Sequence, residues 1–213
     1  MFYDGLRKES GAHPLSSASR IILGIDPGLA NTGWGVVEQR GPRLACVAYG
    51  CVSTPQGMGL AERLLKIRDQ VRAVVERFHP SCVGIETVWF GQNVTAAFAT
   101  GQARGAALVA CAEGGLQVGE FSPSQIKMAV VGTGTADKAQ VQYMVRQLLA
   151  LEDLPRPDHA ADALAAAICY TSHDGALQAQ ERFLAAVERA QAREGLRGRP
   201  ARALRRDEEG VPA

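Results

Sequence analysis

Ile21-Ile22-Leu23-Gly24-Ile25-Asp26-Pro27-Gly28 is the stretch on which the fold class turns. A short apolar run bounded by Asp-Pro-Gly reads as a buried strand stopped by a turn. The strand therefore delivers a carboxylate, Asp26, at its end. Downstream, Gly33 to Glu38 and Leu44 to Val52 read as two further strands, and Gly41-Pro42 turns the chain between them, so the first three strands form an antiparallel meander. Gly57-Met58-Gly59 then breaks the chain. Leu60, Leu64, Ile67, Val71, Val74 and Val75 recur at helical spacing, which predicts an amphipathic helix up to His79-Pro80 covering one face of the sheet.

Cys82-Val83-Gly84-Ile85 is a fourth apolar strand, and it delivers Glu86. An Ala- and Gly-rich helix follows from about Asn93 to Ala112, its small side chains permitting close approach by another helix, including one from a second subunit. Gln117 to Phe121 is a fifth strand. Pro123 to Val131, Lys138 to Leu149 and His159 to Tyr170 complete the helices, the last opened by Pro157-Asp158 with Asp158 placed to cap its first turn.

The 213 residues suffice for one domain with a real core and leave little room for a second. Hydrophobic residues make up 46% and charged residues 21%, and no apolar run approaches membrane-spanning length. Met1 to Ser19 is polar and lacks the apolar segment of a secretory signal. Five cysteines, Cys46, Cys51, Cys82, Cys111 and Cys169, form no CxxC pair, which points to a reduced, cytoplasmic protein without structural zinc. Net charge is only +1, so any nucleic-acid face must be local. The expected organisation is a disordered extension over 1–20, one catalytic domain over 21–174, and a basic tail, helical to disordered, over 175–213.

Three acids stand at element ends on one expected edge of the sheet: Asp26 after the first strand, Glu86 after the fourth, and Asp162 in the first turn of the last helix. If they converge, their repulsion is tolerable only with cations between them. Oxygen ligands suit Mg²⁺, and a pair of such ions clamps the attacking and leaving oxygens of a phosphodiester. Each acid also has a structural alternative. Asp26 before Pro-Gly can be a turn residue, Glu86 a cap, and Asp162 a complement to the helix dipole. His159 and Asp162 share a helical face by their spacing of three, and Asp158 and Asp162 by their spacing of four, so spacing does not choose between cap and ligand for Asp158.

Four ordered motifs carry a resemblance. Ile22-Leu23-Gly24-Ile25-Asp26-Pro27-Gly28 with Thr32-Gly33, then Gly101-Gln102-Ala103-Arg104-Gly105, then Val130-Val131-Gly132 before Lys138, then Ala160-Ala161-Asp162-Ala163-Leu164-Ala165 resemble the RuvC Holliday-junction resolvases over about Ile21 to Ser172. The resemblance implies an α/β, ribonuclease H-like fold, a five-stranded mixed sheet combining an antiparallel meander with parallel strands and flanked by helices. It also implies a homodimer acting on four-way junction DNA beside branch-migration proteins of the RuvA and RuvB type, in the bacterial nucleoid. Paired nicks would leave a 5′ phosphate and a 3′ hydroxyl. Family catalytic and metal-holding positions carry over onto Asp26, Glu86 and Asp162, with Asp26 bridging two ions. The fourth position, commonly Asp, is His159 here, which leaves Asp158 as the cap. Imidazole favours Mn²⁺ over Mg²⁺; alternatively His159 handles a proton near neutrality.

For DNA, Trp89 and Phe90 stand in a polar loop with Asn93, where one aromatic is core or both stack on unpaired bases. The resemblance puts Trp89 at the junction. Lys127 and Lys138 match basic positions of the family, and Arg104 either touches DNA or braces the dimer helix. Two rivals remain at this point: an ATP-binding domain of the actin and sugar-kinase kind, for which a second related domain is needed, and a junction-binding module without cleavage.

Overall fold

The computed structural model of the chain describes residues 19–88 and 94–173. Residues 1–18, the tail from 174 onward, and Trp89, Phe90 and Asn93 lie outside those residues, and Arg20 belongs to the first strand rather than to the expected extension. The strands are β1 (Arg20–Asp26), β2 (Asn31–Arg40), β3 (Arg43–Ser53), β4 (Cys82–Glu86) and β5 (Gln117–Phe121). The helices are α1 (Leu60–Phe78), α2 (Val94–Glu113), α3 (Pro123–Val131), α4 (Lys138–Leu148) and α5 (158–173). One five-stranded sheet runs in the order β3-β2-β1-β4-β5. β1, β2 and β3 pair antiparallel, whereas β4 lies parallel to β1 and β5 parallel to β4. The expected mixed sheet is present, and among the described residues each expected strand and helix is found within a few residues of its place.

Local chemistry explains the boundaries. His79 adopts the left-handed conformation (φ 48°) and ends α1 before Pro80. Ser122 caps α3 by accepting from the Gln125 amide, Asp137 does the same for α4 through Gln140, and both glutamines reach back to the cap nitrogen.

Helices cover both faces. On one, Leu23, Ile25, Val36, Val83 and Ile85 pack against α1 and α2; on the other, Ile22, Val37, Cys82 and Phe121 pack against α3, α4 and α5. The contact with α5 rests on glycine. Gly35, Gly24, Gly84 and Gly119 pair in a continuous row across four strands. A β-carbon at Gly24 would meet the Ala167 nitrogen at 2.7 Å, one at Gly35 the Leu164 side chain at 2.7 Å, and one at Gly119 the Tyr170 ring at 2.8 Å. A β-carbon at Gly84 would fall against the Ala166 carbonyl. The facing helix is nearly all small: Ala160, Ala161, Ala163, Ala165, Ala166 and Ala167 are completely buried. Glycine inside a strand commonly marks such an approach, and here α5 settles almost directly on the sheet backbone.

Candidate active site

β1 and β4 run in register from Ile22 beside Cys82 to Ile25 beside Ile85. Side chains alternate along a strand. Because Ile22 and Cys82 face α5 while Ile25 and Ile85 face α1 and α2, the next residues, Asp26 and Glu86, return to the α5 face. Two carboxylates distant in the chain thus end neighbouring strands on one side of the sheet.

α5 supplies the remainder. A β-carbon on Gly33, the partner of Asp26 on β2, would come within 3.0 Å of the His159 β-carbon, so the bare strand lets the first turn of α5 sit over Asp26. His159 Nδ1 lies 2.7 Å from Asp26 Oδ2. One ligand atom from each of Asp26, His159 and Asp162 falls within 4.8 Å of the other two. The side chains of Asp26 and His159 are 16% and 41% exposed, so the cluster sits in the protein but opens to one side. The turn after β1 is pinned by Thr32, fully buried, whose hydroxyl donates to the Gly28 carbonyl at 2.8 Å.

The electrostatics are those of a crowded anionic pocket. Burial, then Asp26 and Asp162, push the Glu86 carboxyl up to about 7, with Lys127 and Lys138 pulling the other way. Asp162 is raised by burial and then by Asp26. The His159 imidazole is raised chiefly by its hydrogen bond to Asp26. Lys138 Nζ lies 3.2 Å from Asp162 Oδ2 and 3.3 Å from Asp158 Oδ2. Its ammonium is also raised: burial opposes the charge, but Asp162 and Asp158 outweigh it. Carboxylates and one imidazole crowded this closely form a donor set suited to a hard or borderline divalent cation, whose charge would offset their repulsion.

The structure thus gathers Asp26, His159 and Asp162 into one set, with Glu86 on the adjoining strand, Lys138 in contact and Lys127 within electrostatic reach of Glu86. Arg104 stands elsewhere. It pairs with Glu120 of β5 from α2, on the opposite face of the sheet, with its side chain 19% exposed. Asp158 is the first helical residue of α5 rather than a residue preceding it, and its carboxylate turns to Lys138 and Gln142 on α4. Nothing local in Pro157-Asp158 separates those two fates. The glycine row also escaped the sequence reading, although an isolated Gly at mid-strand in 24, 84 and 119 was a usable signal. All five cysteines are free, and among the described residues no helix is long and apolar enough to cross a membrane.

The family model for crossover junction endodeoxyribonuclease RuvC matches residues 22–170. The chain belongs to the RuvC family. A crossover junction endodeoxyribonuclease RuvC of Heliobacterium modesticaldum is 52% identical over 149 residues, covering 70% of this chain and 92% of the relative. One from Treponema denticola is 50% identical over 147 residues, covering 69% and 83%. Among solved structures, T. thermophilus RuvC in complex with Holliday junction substrate superposes with a TM-score of 0.68 at 38% identity, covering 71% of this chain and 93% of that one. The RuvC match spans the meander, both acid-bearing strands and α5, so the ribonuclease H-like fold and the family's endonuclease chemistry apply to the same segment that builds the pocket.

Proposed function

We propose that this chain is a structure-selective endonuclease that resolves four-way DNA junctions by paired nicks in recombination and repair, leaving a 5′ phosphate and a 3′ hydroxyl. The observation that carries this reading is the convergence of Asp26, His159 and Asp162 within 4.8 Å, beside Glu86, in a chain about half identical to named crossover junction endodeoxyribonucleases. Asp26, Glu86, His159 and Asp162 would hold Mg²⁺ or Mn²⁺, two ions per site. Such ions supply charge neutralisation at the scissile phosphate and activation of the attacking water. Asp26, gripped by His159, is presented in a fixed orientation. Glu86 takes up or gives up its proton as cations leave or enter. Lys127 and Lys138 draw the phosphate backbone to the pocket and hold the strand there.

Trp89, Phe90 and Asn93 follow Glu86 directly in the chain, and in this reading they probe the junction centre, the aromatic faces stacking on unpaired bases. Arg104, tied to Glu120, acts as the brace of α2. α2 exposes Val94, Phe98 and Val109 and leaves open space at Gly101 and Gly105, a face suited to a second copy, which would set two pockets against two strands of like polarity. Family kinship extends the proposal to branch-migration partners of the RuvA and RuvB type in the bacterial cytoplasm.

A synthetic four-way junction incubated with the full chain and Mn²⁺ tests the reading. Symmetric nicks, lost about 100- to 1000-fold in Asp26→Asn while junction binding persists, are expected. Binding without nicks by the parent chain would instead make it a junction-binding module.

A further inference from the structure

Asp158 is the acid at the pocket's mouth that the family chemistry leaves without work. It lies outside the set formed by Asp26, His159 and Asp162, and it stands one turn before Asp162 on the same helical face. Its partners both come from α4. Lys138 Nζ sits 3.3 Å from Asp158 Oδ2 and 3.2 Å from Asp162 Oδ2, so one ammonium spans two carboxylates, only one of which is a candidate cation ligand. Gln142, one turn beyond Lys138 on α4, lies on the same side and, with Lys138, favours the ionised Asp158 carboxylate.

This arrangement resolves a conflict within the site. Lys138 and a divalent cation both seek the Asp162 carboxylate. If Asp162 were the sole anchor of Lys138, loading the site would require breaking that ion pair outright, and the freed lysine would swing into solvent. With Asp158 as a second anchor, Asp162 can turn to the cation while the ammonium stays at the rim.

We propose that Asp158 is a positioning residue: it retains the Lys138 ammonium at the mouth of the acidic pocket so that Asp162 is free for a divalent cation. The inference rests on the reading that Asp162 is a cation ligand. It assigns Asp158 no contact with the cation or the scissile phosphate. It also separates two roles for one lysine, competitor for Asp162 in the empty site and phosphate holder in the loaded one, with Asp158 setting the balance.

The test is a double-mutant cycle on the full chain, with Mn²⁺ titrated into chelator-stripped protein by calorimetry. Asp158→Asn leaves Lys138 wholly on Asp162 and is expected to weaken Mn²⁺ binding 3- to 10-fold, where Asp158→Glu restores it to within about twofold. Lys138→Met removes the competitor and is expected to tighten binding. In that background Asp158→Asn should change affinity by less than about twofold. Thermal melts of each variant establish that the fold is retained. An equal loss in both backgrounds would mean that Asp158 acts on the ion by simple charge and would overturn the proposal, as would an unchanged affinity in Asp158→Asn. Absence of Mn²⁺ binding by the parent chain would fail the metal-site reading itself, a distinct result. A second readout comes from junction cleavage at saturating Mn²⁺: loss of Lys138 retention removes a phosphate contact and raises KM, whereas a general gain of positive charge lowers KM.

Discussion

Replacing Gly24 by alanine tests the link between the sheet backbone and the pocket. The new methyl would strike the Ala163 carbonyl and stand 2.7 Å from the Ala167 nitrogen. Ordinary contact begins at 3.4 Å, so α5 must retreat by about 0.7 Å at Ala167, and by more at Ala163. Since the obstacle is helix backbone and no rotamer can absorb it, the cost falls at the upper end of overpacking, about 2–3 kcal/mol. The stiffer unfolded chain of the alanine variant returns about 0.4–1 kcal/mol, which is too little to cancel it. The net loss of about 1–2.6 kcal/mol should lower the melting temperature by about 2–10 °C in a chain of this size. Asp162 precedes Ala163, so the same retreat draws a candidate ligand away from Asp26. A displacement near 1 Å costs on the order of 100-fold in rate, and a 10- to 100-fold loss in junction cleavage is expected. Gly57→Ala, which meets nothing within 4 Å, is the control: it gains only the unfolded-state term, so it should melt no lower than the parent and cut at the parent's rate. A Gly24→Ala protein that melts within 1 °C of the parent and cuts within twofold of it refutes the close-approach argument.

Glu86→Gln should stabilise the metal-free protein above neutrality. The folded-state carboxyl sits at about 7 against an ordinary 4.5, so between those values the folded chain holds the proton more tightly. Its penalty is absent below pH 4.5 and complete above pH 7, and the variant's advantage should grow across that window to about 1–3 kcal/mol. Melts in chelator across pH check it, and a constant difference contradicts it. An imidazole ligand at His159 would favour Mn²⁺, so junction cleavage should be at least as fast in Mn²⁺ as in Mg²⁺ across a full titration; consistently faster cleavage in Mg²⁺ counts against the imidazole as a ligand. Burial pushes the thiols of Cys46 and Cys169 up to about 11 and that of Cys111 to about 12. In the native chain at pH 7.5, half-buried Cys51 should be alkylated first, as read by peptide mass spectrometry.

The strands were legible because each apolar run stops at a group that must meet solvent or a ligand, and β1 and β4 announce their acids by this means. α3 and α4 were legible for a second reason: Ser122 with Gln125 and Asp137 with Gln140 write their caps at fixed spacing. Convergence was not a local property. Asp26 and Glu86 share a face only because β1 and β4 align Ile22 with Cys82, a register that no single strand encodes. Asp158 likewise follows its neighbour on another helix. Pro-Asp before an alanine run has the chemistry of a cap, and only the arrival of Lys138 decides otherwise. For Arg104 the deciding partner, Glu120, sits on a strand whose edge position is set by the whole sheet.

The β2–β3 hairpin carries an irregularity with a different significance. Val36 pairs with Ala48 and Val37 with Cys46, so Val47 is an extra residue on the edge strand, 43% exposed. Loss of one residue from β1 or β4 would rotate Asp26 or Glu86 to the wrong side of the sheet. The hairpin can change length at Val47, toward its far end, without turning either acid. An inserted or deleted residue is therefore absorbed at the rim of the sheet, while β1 and β4 are held to a fixed count by the side on which their acids must emerge.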